Sequence, residues 1–351
     1  MKATYHKYTL NFKNPAGTSR GVLTQKETWF IVISSWRRQG IGECSILPGL
    51  SVDNYEKYEK KLQWVCDNIH LGVAALWNKL IHFPSIQFGV EMAFKSYERA
   101  NPFLLFYSNF TRGLDYIPIN GLVWMGEPAF MKQQIEEKIS QGFTCIKLKI
   151  GAIDFKKELA LLKYIREHFD EKTIELRVDA NGAFSANEAL KKLEKLAQYK
   201  IHSIEQPIQP KQYEAMAYLC QKSPIPIALD EELIGVFTAK EKEDLLLKIK
   251  PQYIILKPSL IGGFRGTAQW ISLAEKHKIG WWITSALESN IGLNAIAQYT
   301  YTLQNPMPQG LGTGSLYTNN FPSPLVVENG FLKYNSLSDW NFDESKRFIT
   351  F

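Results

Sequence analysis

Between Ile117 and Gly310 short apolar runs alternate with amphipathic segments. The runs end at Lys149, Asp179, Glu205, Asp230 and Lys257, separated by 30, 26, 25 and 27 residues. They read Thr-Cys-Ile-Lys-Leu-Lys, Ile-Glu-Leu-Arg-Val-Asp, His-Ser-Ile-Glu, Ile-Pro-Ile-Ala-Leu-Asp and Tyr-Ile-Ile-Leu-Lys. Each is rich in Ile, Val, Leu or Tyr, as a buried strand should be. Helical periodicity fills the intervals, near 127–140, 154–169, 185–199, 212–222, 238–249, 266–278 and 292–303. From Asp154 to Ile165 the apolar residues recur at spacings of three and four. Ser185 with Glu188 predicts a capping box. Ile117–Trp124 reads as the first strand of the series, with others beginning near 144, 174, 202, 226, 253 and 280 and a last one near 310. A strand–helix unit repeated at this spacing predicts a βα barrel.

Residues 1–115 have a different texture. Leu10–Phe12 and Trp29–Ser34 read as strands, and the Gly-rich stretch Gly40–Gly49 as a turn and an irregular loop. Helical period returns at 54–70 and 88–99. The pattern predicts an α+β domain over 1–115, a barrel over 116–322, and a segment over 323–351 that returns to the first domain. Within that segment Leu325–Tyr334 has strand character, with a hairpin turn at Asn329-Gly330.

Composition changes this picture little. The chain has 351 residues, 45% hydrophobic and 22% charged, ordinary for a globular protein with room for a barrel and a smaller domain. A net charge of +6 favours anionic ligands mildly and a hydrated surface chiefly. No dense Lys/Arg stripe carries interleaved aromatics, so no nucleic-acid partner is expected. No apolar run approaches the roughly 18 residues of a spanning helix, and the first residues lack a signal-peptide stretch. Cys44, Cys66, Cys145 and Cys220 form no CxxC pair, which predicts a reducing cytoplasm and no zinc site.

Polar groups at the C-terminal ends of barrel strands converge on one mouth. Lys147 and Lys149 lie two apart on a strand and share a face. Their mutual repulsion should lower one pKa, as a lysine base requires. Asp179, Glu205 and Asp230 offer hard oxygens from successive strands, a donor set suited to Mg²⁺. Lys257 should face Lys149 across the mouth. The set suits metal-assisted removal of a proton beside a carboxylate. Gly262-Gly263 could cradle an anion with backbone amides or form a tight turn. Ser289 and Thr313 could bond a substrate carboxylate or serve turns. Arg177 could reach the metal or pair deeper in the barrel. Trp281 and Trp282 must point to opposite faces.

On Lys147-Leu-Lys149, Asp179-Ala-Asn181, Glu205-Gln-Pro207, Asp230-Glu231 and Lys257-Pro-Ser, in that order and spacing, the chain resembles the muconate-lactonising subgroup of the enolase superfamily almost end to end. The resemblance implies a (β/α)₇β modified TIM barrel with an α+β capping domain. It makes Asp179, Glu205 and Asp230 ligands of Mg²⁺, with Mn²⁺ as a substitute, and Lys149 and Lys257 the acid/base pair. Asn181 and Glu231 become supporting residues near the metal, with Lys147 and Asn181 within reach of the substrate. Loops near 14–21 and 43–51 would close over a small anionic carboxylate, and a homo-oligomer is compatible with the family.

Three local motifs, Pro118-Ile-Asn-Gly-Leu, Ser285-Ala-Leu-Glu-Ser-Asn290 and Gly310-Leu-Gly-Thr-Gly-Ser315, are similar to the branch that dehydrates a succinylated hydroxycyclohexadiene carboxylate in menaquinone biosynthesis. The alternatives on the same fold are N-acylamino acid racemase, dipeptide epimerase and muconate-type cycloisomerase. Dipeptide epimerases usually carry Asp-x-Asp near the last strand. Gly312-Thr313-Gly314 stands there instead, which disfavours a substrate ammonium.

Overall fold

The computed structural model describes residues 1–18, 21–36 and 38–340. Strands β1 (Lys2–Thr18), β2 (Gly21–Ser35) and β3 (Arg38–Ser45) form an antiparallel meander. Helices α1 (Tyr58–Asp67), α2 (Gly72–Lys79) and α3 (Pro84–Tyr97) follow. Leu62, Val65, Leu76, Ile86 and Val90 pack with Trp29, Ile31, Ile33 and Cys44 into a core of their own.

The stretch expected as an irregular loop at 40–49 is mostly strand: β3 runs to Ser45 and pairs in register with β2, Thr28 opposite Ser45. Its glycines answer to packing rather than to turning. A Cβ on Gly42 would overlap the carbonyl oxygen of Gly89, because α3 lies directly on the strand backbone. Helix α2 was not anticipated.

The span read as one strand over Ile117–Trp124 divides in two. Strand β4 (Tyr116–Pro118) pairs antiparallel with the C-terminal hairpin, while β5 (Gly121–Val123) enters the barrel. The units then alternate: α4 (Pro128–Ser140), β6 (Cys145–Lys149), α5 (Phe155–His168), β7 (Glu175–Asp179), α6 (Ala186–Ala197), β8 (Ser203–Glu205), α7 (Tyr213–Lys222), β9 (Ile227–Leu229), α8 (Ala239–Ile249), β10 (Tyr253–Leu256), α9 (Pro258–Ile261), α10 (Gly263–Lys276), β11 (Gly280–Ile283) and α11 (Asn290–Thr302). The capping box lies at Thr238 and Glu241 on α8; at α6 the Ser185 hydroxyl bonds the Glu188 carboxylate and leaves the helix amides alone.

Strands β5 to β11 form one parallel sheet in sequence order. Gln309 bridges to Ile119 and Gly310 to Thr284, both in parallel sense, so this short segment closes the barrel as its eighth member. The result is a (β/α)₇β barrel. Lower in its interior Arg177 lies over Trp282 at 4.3 Å, bonds Glu175 at 2.7 Å and donates to the Pro308 carbonyl at 2.8 Å. Arg177 thus forms a structural pair with Glu175 rather than reaching toward the strand-end carboxylates. Trp281 joins the outer core, on the face opposite Trp282.

Hairpin β12 (Leu325–Glu328) and β13 (Phe331–Tyr334) pairs with β4 rather than with β1 to β3. Beyond it Trp340 stacks on Phe103 at 4.3 Å, and Tyr334 meets Phe110. The remainder of the expected segment, 341–351, lies outside the described residues.

Candidate active site

Barrel register assembles the site. Lys149 stands opposite Asp179, and Asp179 opposite Glu205, so three charged groups occupy one rung of neighbouring strands. Asp230 and Lys257 directly follow β9 and β10. All are buried, and Lys147, Lys149 and Lys257 border a cavity of about 1080 Å³.

The groups pair across the rung. The Lys149 ammonium donates to Asp179 Oδ2 at 2.6 Å and to Asn181 Oδ1 at 2.8 Å. Lys147 donates to Glu205 Oε2 at 2.7 Å and to Asp179 Oδ2 at 3.3 Å. Lys257 bonds Asp230 and stands 3.9 Å from Glu205 Oε1. Asn181 Nδ2 reaches Glu231 Oε1 at 3.0 Å, which places both supporting residues behind Lys149. Asn181 and Gln206 adopt left-handed backbone conformations, φ 44° and 38°, one or two residues past Asp179 and Glu205. Strain of this kind persists only where surrounding bonds hold it. Gln206 shows such bonds: its Oε1 accepts from the backbone N–H of Asp230 and of Glu232, both at 3.2 Å.

Burial works to raise the Asp179 pKa, but Lys149 and Lys147 outweigh it and hold this carboxyl well below its usual range. Burial opposes the charge on Lys147, yet Glu205 and Asp179 drive its pKa up. The lowering expected from two adjacent lysines is therefore absent at Lys147, because the charges of Glu205 and Asp179 outweigh it. Glu205 is pushed up to about 8 by burial and by the facing Asp179 and Asp230 carboxylates, against the pull of Lys147.

Among the described residues no three acids, histidines or cysteines stand at ion-clamping distance. The reason is visible in the pairing: ammonium groups lie between the carboxylates. The donor set nonetheless fits a hard divalent cation. Glu205 Oε1 is buried without a hydrogen-bond partner, and three buried acids repel one another. A divalent ion would relieve both conditions once the ammonium groups turn toward the cavity.

Thr313 lines the cavity and is bonded to Ser285 through Oγ1 at 2.7 Å. Two other expected substrate contacts fall elsewhere. Gly263 begins α10, but its amide cradle is filled from within: Glu91 of α3 accepts from Phe264 N at 2.6 Å and Arg265 N at 3.2 Å. Ser289 caps α11 and donates to Glu43 Oε2 at 2.5 Å, outside the cavity lining. The stretches near 14–21 and 43–51, expected to close over the substrate, contribute Asn14, Leu47 and Leu50 to the lining, whereas Ser285 and Lys13 were not named individually, and only Ser285 belonged to a quoted motif.

Comparison with known proteins agrees with this geometry. Residues 130–337 match the enolase C-terminal domain-like family, and residues 1–97 match the MenC N-terminal domain. The chain is 48% identical over 363 residues to o-succinylbenzoate synthase of Desulfotalea psychrophila, covering 95% of this chain and 98% of that one. The crystal structure of MenC from Desulfotalea psychrophila superposes with a TM-score of 0.85 at 45% identity, covering 95% and 99% of the two chains. Muconate lactonizing enzyme from Pseudomonas fluorescens complexed with muconolactone shares the fold, with a TM-score of 0.84 at 22% identity over 98% and 96%. The chain belongs to the enolase superfamily and, within it, to the o-succinylbenzoate synthase family.

Proposed function

We propose that the chain is a Mg²⁺-dependent carbon–oxygen lyase of menaquinone biosynthesis, dehydrating 2-succinyl-6-hydroxy-2,4-cyclohexadiene-1-carboxylate to 2-succinylbenzoate. The observation that carries this reading is the pair Lys149 and Lys257 bordering one cavity with three carboxylates behind them, in a chain 48% identical to an o-succinylbenzoate synthase.

Asp179, Glu205 and Asp230 would hold Mg²⁺, with Mn²⁺ as a substitute. When bound, the cation supplies Lewis-acid stabilisation of charge building on the substrate carboxylate. Lys149, as the neutral amine, takes the proton from the ring carbon that bears the carboxylate. The resulting ammonium then gives a proton to the departing hydroxyl on the same face, so water leaves and the ring becomes aromatic. Asn181 fixes the Lys149 amine through its 2.8 Å bond. Lys257 borders the same cavity, and its ammonium would oppose the developing negative charge. Ser285 and Thr313 supply hydroxyl donors for a second substrate oxygen.

The same lysines suit proton exchange at the α-carbon of an N-acylamino acid, since both border one cavity. Deuterium incorporation from D₂O into such a substrate tests that activity. A cytoplasmic protein fits the four unpaired, buried cysteines. No described helix is long and apolar enough to cross a membrane.

The deciding experiment mixes purified protein, Mg²⁺ and the cyclohexadiene carboxylate, and follows aromatisation by ultraviolet absorbance. Rapid conversion that a chelator stops supports the lyase. No conversion by folded, metal-loaded protein rejects it.

A further inference from the structure

The junction between capping domain and barrel contains a second set of buried charges, unused by the chemistry above. Lys26 of β2, Glu43 of β3 and Glu288 are each 2% exposed or less. Glu43 Oε1 accepts from the Thr28 hydroxyl and the Ser289 amide, both at 2.9 Å; its Oε2 accepts from Ser289 Oγ at 2.5 Å and Gly292 N at 2.8 Å. A carboxylate from the N-terminal sheet thus satisfies the first turn of α11. Glu288 accepts from the Ser259 hydroxyl and from Ala286 N, the latter at 2.7 Å. Lys26 bonds the Ser45 hydroxyl; burial lowers its pKa, and the charges of Glu43 and Glu288 oppose that lowering. Tyr317 faces the same two acids and donates to the Leu287 carbonyl at 2.7 Å.

These bonds end on the walls of the active-site cavity. Ser285, Ala286 and Leu287 line it immediately before Glu288. Leu47 and Leu50 line it from the capping side, just past Ser45. Ser259 stands two residues beyond Lys257. Lys26, Glu43 and Glu288 do not line the cavity themselves. Buried ionic groups of this kind add little net stability over well-packed apolar replacements, while losing one partner leaves a charge uncompensated. Their effect lies in fixing one geometry.

We propose that Lys26 is a positioning residue: by balancing Glu43 and Glu288 across the domain junction, it fixes the wall at 285–287 against the ceiling at 45–50 and thereby sets substrate affinity. This rests on the synthase reading for its assay. The chemical groups Lys149 and Lys257 are untouched by it, so its loss should appear in KM rather than in kcat.

Lys26→Met, Glu288→Gln and the double variant are assayed for kcat and KM beside the wild type. Lys26→Met is expected to raise KM about tenfold with kcat within about threefold. The double variant is expected to recover KM to within about threefold of the wild type, since removing the Glu288 charge together with the Lys26 charge restores the wild-type excess of one carboxylate. An unchanged KM in Lys26→Met, or losses that simply add in the double variant, overturns the proposal. If Lys26→Met does not fold, Ser259→Ala removes the hydroxyl donor of Glu288 instead; a raised KM is expected and an unchanged one overturns the proposal. A wild type without turnover counts against the synthase reading alone. Amide hydrogen exchange over 285–292 then decides, with faster exchange expected in the folded variant and identical exchange overturning the assignment.

Discussion

The molecule buries two sets of acids, and they are satisfied in different ways. At the barrel mouth Asp179, Glu205 and Asp230 are answered by the ammonium groups of Lys149, Lys147 and Lys257, side chain to side chain. At the domain junction the buried Glu43 and the half-buried Glu91 accept backbone amides from the first turns of α11 and α10. A lysine side chain can turn away and leave its carboxylate to a cation. A helix amide is fixed by the helix. The first set can therefore exchange partners during a reaction, while the second holds two domains in register. Burial and charge are common to both, so neither alone marks a site of chemistry; the mobility of the partner does.

The largest test of this difference removes the exchangeable group that accepts the proton. Lys149→Ala is expected to lower turnover by about 10³-fold or more, with circular dichroism unchanged. Near-normal activity would take the base assignment away from Lys149. Glu205→Gln keeps the shape of the rung and removes one charge. It should raise the Mg²⁺ concentration for half-maximal activity at least about tenfold, read from a metal titration of initial rates. An unaltered titration would mean that Glu205 is not a ligand.

The capping domain that carries Glu43 and Glu91 should respond in stability. Gly42→Ala places a methyl against the Gly89 carbonyl, where the α3 backbone cannot retreat without separating from β3. A loss on the order of 2 kcal/mol in urea unfolding is expected, with kcat of the folded fraction little changed. A lowered kcat at equal stability would place the capping sheet in the chemistry after all.

The barrel rung was legible because its chemistry is periodic. Strand ends recur at even spacing, and Lys149, Asp179 and Glu205 are in register, as neighbouring parallel strands dictate. The junction was not legible, because its contacts join residues far apart in the chain: Glu43 to Ser289, Glu91 to Phe264. No local pattern distinguishes a glycine that admits a substrate from Gly263, whose amide cradle an internal carboxylate already fills. Likewise Gly40 and Gly42 look like turn residues until α3 is packed on them. Ser289 was expected to bond a substrate carboxylate, but the carboxylate it meets belongs to Glu43.

Glu91 offers the finest test, because its amide partners and its burial pull in opposite directions. Burial pushes its carboxyl from an ordinary value of 4.5 up to about 7, against the bonds from Arg265 and Phe264. An acid whose native pKa is raised binds more protons folded than unfolded. Its contribution is fully present below about pH 4.5 and is lost as pH rises through about 7. Glu91→Gln carries no titration, so its stability should change less between pH 5 and pH 8. Asp53 and Glu158 are also pushed up to about 7, but they are present in both proteins and drop out of the difference. Urea unfolding at the two pH values should show the wild type losing on the order of 1 kcal/mol more than the variant, less than the full shift implies because Glu91 is partly exposed. Equal slopes would mean that two helix amides suffice to keep Glu91 ionised. The junction would then hold its charge as firmly as the lysines hold Asp179, and what separates the two regions would be partner mobility alone.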